Sequence, residues 1–143
     1  ALGLEGHIEM LGEMSNTQVP AYMSLSDTVV FPSTAESSSI ACAEAFAMGK
    51  LVVASHVGGL VELLGRNNER GILVKLVDLE GSDYDAPLEL PPERYEALAQ
   101  AVVEALTTNQ SVRREHAEKY AKEELDWKVV AEKTLRVYDM VLK

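Results

Sequence analysis

Phe31-Pro32-Ser33-Thr34-Ala35-Glu36-Ser37-Ser38-Ser39-Ile40-Ala41-Cys42-Ala43-Glu44-Ala45-Phe46-Ala47-Met48-Gly49 is the stretch that decides the fold. It is entered through Thr28-Val29-Val30-Phe31, a nearly continuous apolar run ended by Pro32, as a buried parallel strand would read. A helix is expected from about Ser38 to Met48, with Gly49 as its C-terminal stop. The first backbone N–H groups of such a helix have no intrahelical partner, so the Ser37-Ser38-Ser39 turn is a ready place for an anion. One carboxylate, Glu36, stands just before the helix, and a second, Glu44, about one turn inside it.

Outward from this stretch, strand and helix alternate at short intervals. Leu51-Val52-Val53-Ala54 is the next buried strand, Val57-Gly58-Gly59 turns into a helix Leu60–Leu64 closed by Gly65, and Gly71-Ile72-Leu73-Val74 is a fourth strand. Upstream, His7-Ile8-Glu9-Met10-Leu11 alternates polar and apolar until Gly12 and predicts a short first strand. Val19 to Leu25 follows near helical spacing, with Pro20 in its first turn. The alternation predicts an α/β fold over about residues 1–90, a Rossmann-like doubly wound parallel sheet. Ligands of such sheets bind outside the carboxyl ends of the strands. The turns Gly12–Met14, Thr34–Ser39 and Ser55–Gly59 should therefore share one rim.

From Lys75 to Glu89 the chain is acidic and loop-like, without the ordered ligand spacing of a Ca²⁺ site. Pro91-Pro92 opens a helix to about Thr107, with Tyr95, Leu98, Val102 and Leu106 on one face. Further helices are expected from about Val112 to Glu123 and from Asp126 to Leu142. Trp127, with Val130, Leu135, Tyr138 and Val141, reads as core packing of the last helix. About 50 residues of short helices bury too little surface alone, so residues 91–143 are expected to pack on the same single domain, 1–143.

Composition narrows the function classes. The 143 residues are 47% hydrophobic and 25% charged, an ordinary globular balance. No apolar stretch approaches the ~20 residues of a membrane span, and no basic N-terminal region suggests a signal peptide. The single Cys42 excludes an internal disulfide and reads as a small core residue; a cytoplasmic protein is the expectation. A net charge of −10 argues against nucleic acid or an anionic membrane as partner of this segment. No Lys or Arg occurs before Lys50, so a phosphate at the serine turn must find its cations elsewhere. His56 has no spaced partners, and no metal site is expected.

The lead-in Phe31-Pro32-Ser33, Glu36 and Glu44 with seven residues between them, Ala45-Phe46-Ala47-Met48-Gly49 and the following Gly58-Gly59 together resemble the retaining GT-B glycosyltransferases of family 4. The resemblance implies the donor-binding C-terminal half of such an enzyme. Glu36 would hold the hydroxyls of the donor sugar and the charge developing at its anomeric carbon. Glu44 would accept from the ribose hydroxyls. Backbone N–H groups of Ser38, Ser39 and Ile40 would face the phosphates, with Ser37 shaping the turn. Gly58-Gly59, before Glu62, would open a helix beneath them, and the turn holding Gly12 and Met14 would lie near the base. The family commonly has glycines where this chain has Ser37-Ser38-Ser39. The implied substrate is a UDP-, GDP- or ADP-sugar, with no cofactor.

The family's upstream Arg and Lys, and the N-terminal domain that holds the acceptor, are not in this sequence. A truncated piece or a separately made C-terminal domain is expected, inactive alone, with any membrane association carried by the absent half. Other classes fit less well. A nucleotide-binding or structural α/β module without turnover stays open, whereas a phosphoacceptor receiver domain would need acidic residues where Leu11-Gly12 and Ala54-Ser55 stand. An epimerase of similar architecture would show other acid/base residues.

Overall fold

The computed structural model describes residues 3–77 and 90–142. Three parallel strands, β1 (Thr28–Phe31), β2 (Leu51–Ser55) and β3 (Ile72–Val74), pair in the order β1-β2-β3. Thr28 sits opposite Leu51 and Val53 opposite Ile72. The Thr28 hydroxyl also donates to the Leu51 carbonyl at 2.9 Å. Between the strands run α1 (Val19–Leu25), α2 (Ile40–Ala47) and α3 (Gly58–Leu64). After the sheet come α4 (Pro92–Thr107), α5 (Ser111–Tyr120), a π-helical turn Ala121–Leu125 and α6 (Trp127–Val141). The acidic segment 78–89 lies outside the described residues.

β2 is the centre of the protein because it is flanked by strands on both edges and covered by helices on both faces. All five of its residues are buried. Successive side chains point to opposite faces, and the two cores divide on that alternation. Val52 and Ala54 meet Cys42, Phe46, Leu60 and Leu64 from α2 and α3, and Ala117 from α5. Leu51 and Val53 meet Ala101 and Ala105 of α4 on the other face, beside Ile72 and Val74. Helices on both faces of a parallel sheet are the doubly wound arrangement the alternation predicts.

Several sequence expectations are corrected. His7–Leu11 forms no strand: Ile8 is 60% and Met10 90% exposed. A strand exists only by pairing, and β1 pairs on one edge alone, with β2. The Gly12–Met14 turn therefore does not cap a strand. The core face of α4 is shifted: Tyr95 and Leu106 are half exposed, while Leu98 and Val102 pack beside Ala97, Ala101 and Ala105. Small residues let the helix lie close to the sheet. Trp127 is not core, and no side chain of α6 is buried, so the tail packs on the domain only as far as its π-helical turn. Among the described residues, no helix is long and apolar enough to cross a membrane.

Cys42 is fully buried, as its small, apolar neighbours suggest. Burial, and secondarily the nearby charge of Glu36, push its thiol up to about 12. The thiolate is the reactive form. Native protein should therefore react negligibly with a disulfide reagent from pH 7 to 9, and react fully once unfolded in guanidinium. Phe46 is the largest fully buried side chain. Phe46→Ala should lower unfolding stability by about 3–5 kcal/mol in urea denaturation.

Candidate functional site

Two turns at the carboxyl ends of β1 and β2 interlock. The Gly59 N–H donates to the Glu36 carbonyl at 2.9 Å. Gly58 has φ +43°, and a Cβ there would lie 1.9 Å from the Glu36 carbonyl oxygen. A Cβ on Gly59 would lie 2.2 Å from that of Ser37. Such distances are impossible for real side chains, so both positions require glycine. The Ser55 hydroxyl ties the same strand ends, donating to the Phe31 carbonyl at 3.3 Å. His56, exposed on this rim, donates its N–H to the Val74 carbonyl at 2.8 Å.

This contact explains the serines of the turn. Asn68 is the sole non-glycine residue with positive φ among the described residues, so Ser37, Ser38 and Ser39 adopt ordinary backbone angles. Close approach is supplied by glycine in the opposing turn instead. Ser39 is the N-cap of α2: its hydroxyl accepts from the Cys42 N–H at 3.4 Å and its carbonyl from Ala43 at 3.1 Å. Ser37, Ser38 and Ile40 are exposed at this helix end. The helix begins at Ile40, two residues later than the pattern suggests.

Glu44 is exposed on α2 and lines a cavity of about 510 Å³ together with Ser38, Ser39 and Ile40. Glu36 is half-buried and is not part of that wall; its backbone lies under the glycine pair. The structure thus brings Glu36, Ser37 and Ser38 against Gly58-Gly59, and Ser38, Ser39 and Ile40 against the cavity with Glu44. Gly12, exposed with φ +68°, and Met14, partly buried, belong to the irregular segment before α1 and do not line it.

The cavity's other wall comes from the tail, from Lys122, Asp126 and Trp127. Sequence reasoning missed these residues, because an apolar helix stripe predicts burial without telling whether anything covers it. A larger cavity, of about 710 Å³, lies by Asp27, Gln110 and Arg114. Asp27 precedes β1, so that cavity is at the amino end of the strand, away from the rim where parallel sheets bind ligands. Among the described residues no cluster of His, Cys, Asp and Glu could hold a metal ion.

Comparison with known proteins agrees with this architecture. The family described as glycosyl transferases group 1 matches residues 1–80. A sucrose-phosphate synthase from Thermosynechococcus elongatus superposes with a TM-score of 0.71 at 24% identity, over 94% of this chain and 30% of its own. A glycosyltransferase from Rickettsia africae ESF-5 superposes with a TM-score of 0.70 at 25% identity, over 98% of this chain and 33% of its own. The chain spans about a third of the length of each. A search of the curated proteins gave no match. With more than half its residues matched by that family and the GT-B-type α/β fold of its structural neighbours, the chain belongs to the glycosyl transferases group 1 family.

Proposed function

We propose that the chain is the donor-binding half of a retaining, family 4-type glycosyltransferase. It would take a nucleoside-diphosphate sugar (UDP-, GDP- or ADP-linked) and pass the sugar to an acceptor held by a further domain. The supporting observation is the interlocked rim. Gly58-Gly59 seats the Glu36–Ser38 backbone so that the amino end of α2 opens beside Glu44. Each end of that arrangement suits one part of the donor. The unpaired N–H groups of Ser38, Ser39 and Ile40 suit the diphosphate. The Glu44 carboxylate, one turn along, accepts two hydrogen bonds from vicinal ribose hydroxyls. In this reading Glu36, before the helix, is assigned the donor sugar, and the turn holding Gly12 and Met14, which does not line the cavity, the base side.

In this reading the bond from the anomeric carbon to the leaving phosphate oxygen breaks, and the acceptor oxygen bonds the same face of that carbon. The acceptor's proton passes to the departing phosphate. Glu36 stabilises positive charge at the sugar during departure. No cofactor enters, and the phosphate charge calls for cations beyond those of residues 1–49, which hold no Lys or Arg. A closed, water-excluding cleft needs walls on both sides of the sugar. The 143 residues alone are therefore proposed to bind donor without transferring it, in the cytoplasm and at the inner membrane face only through the rest of a longer protein.

Glu44→Ala should weaken binding of the preferred nucleoside diphosphate by about tenfold or more in calorimetric titration, the scale of lost hydrogen bonds to a charged group. Unchanged affinity would remove the ribose role. Gly59→Ala forces the Ser37 carbonyl aside and should both lower thermal stability and abolish measurable nucleotide binding. A variant that binds normally would show that the interlocked turns do not shape the site.

A further inference from the structure

We propose that Arg70 is a positioning residue of the donor site, acting through α3 to seat the Gly58-Gly59 turn on the Glu36–Ser38 turn. This rests on the donor-binding reading above and adds to it the group that holds the far end of the helix the glycines open. α3 has seven residues, fewer than a helix needs to be stable alone in water. Its N-cap, Val57, makes no side-chain cap, and its last turn carries no basic residue. At the amino end it is tied by the Gly59 N–H to the Glu36 carbonyl. At the carboxyl end it is tied by Arg70. The guanidinium donates from Nε to the Leu63 carbonyl at 2.6 Å and from Nη2 to the Glu62 carbonyl at 2.6 Å. The Arg70 backbone N–H donates to the Leu64 carbonyl at 2.9 Å, and the Gly65 N–H to that of Val61 at 3.0 Å. The four carbonyls that a helix end leaves without partners are thus all met, three of them by Arg70.

Arg70 is itself held by the sheet and by α5. It stands two residues before β3, whose register is fixed by Val53 opposite Ile72. Its guanidinium lies over the Tyr120 ring, 4.0 Å from the centroid, a cation–π contact. Tyr120 packs against the core cluster that contains Leu60 and Leu64. A planar fork that meets two carbonyls and lies on a ring constrains the helix end in direction as well as distance, which a single ammonium does not. That direction matters at two places. Gly58 and Gly59 leave no room between the turns, so a tilt of α3 at the rim must move the Glu36–Ser38 backbone with it. Leu63, whose carbonyl the guanidinium holds, lines the cavity that Ser38, Ser39 and Glu44 also line.

The whole 143-residue chain and its variants are titrated calorimetrically with UDP, GDP and ADP, at a temperature where circular dichroism shows each variant folded. Arg70→Gln should weaken the diphosphate that the wild type binds by about tenfold, the scale of one lost hydrogen bond to a charged group. Arg70→Lys, which keeps the charge without the fork, should not restore it. Arg113→Gln supplies the comparison for a purely structural loss. Arg113 donates to the Asn68 carbonyl at 3.0 Å, in the same loop, but holds no carbonyl of α3. This variant should melt earlier than the wild type and bind with unchanged affinity. Wild-type affinity in Arg70→Gln, with binding lost in Glu44→Ala, overturns the inference and leaves the donor-binding reading standing. Equal losses of affinity in Arg70→Gln and Arg113→Gln also overturn it, since general softening would then suffice. If Arg70→Gln does not fold, the ring decides: Tyr120→Phe should bind as the wild type and Tyr120→Leu more weakly, and equal affinities overturn the inference. Failure of all three diphosphates to bind the wild-type chain overturns both readings.

Discussion

The contact between two backbones at the sheet's rim governs the rest of the site. With Gly58 and Gly59 in place, the turn after β2 lies directly on the carbonyls of Glu36 and Ser37, and one N–H···O bond pins it there. Any side chain in either glycine would separate the turns by more than an ångström. The position of the α2 amino end relative to the sheet is therefore set from β2, not by its own residues. This is why serines can stand in the turn. The small residues that close approach demands are on the opposing side, and the serines keep the favourable cap that glycine would forgo.

α2 carries both the core and the cavity, on opposite faces. Cys42, Ala45 and Phe46 are fully buried against β2. Ile40, Ala43, Glu44 and Ala47, at helical spacing, face the cavity. A helix held this tightly by its inner face presents its outer face at a fixed distance from the sheet. The core has no direct chemistry, but it determines where Glu44 stands. The Cys42 thiol shows how dry that inner face is: burial pushes its ionisation far above the ordinary range, with Glu36 reinforcing the effect.

Much of this was legible in the sequence because the deciding signals are local. The apolar runs of β1 and β2 and the small residues of α2 announce a parallel sheet with covering helices. Ser39 and Gly49 mark the ends of α2, with Gly49 at φ +66°. What failed depended on partners. His7–Leu11 has a strand's alternation, but alternation does not supply a neighbouring ladder. α4 was read by its large apolar residues, whereas the sheet accepts Ala101 and Ala105 because they allow closer packing. Trp127 lies in a stripe with Val130, Tyr138 and Val141, and such a stripe reports amphipathicity without telling what it faces. The seven-residue spacing of Glu36 and Glu44 was visible; that only Glu44 lines the cavity was not, since it depends on how the turn folds under the glycines.

Charge places the last constraint on how such a chain could hold its donor. The protein carries a net −10, and its first 49 residues hold no Lys or Arg, so a diphosphate at the α2 amino end approaches a negative surface. Helix N–H groups alone carry a fraction of one charge, roughly half, and cannot balance two phosphates. Cations must then come from segments remote in sequence that the fold returns to the rim. The tail brings Lys122 to the wall of the cavity that Ser38 and Ser39 also line, because α5 packs on the same sheet face as α2. Under the proposed function, further cations from the domain that holds the acceptor would complete the neutralisation. Division of that charge between two bodies has a mechanical consequence. The donor would be fully neutralised only when both walls close on it, so closure and stabilisation of the leaving phosphate would be one event rather than two.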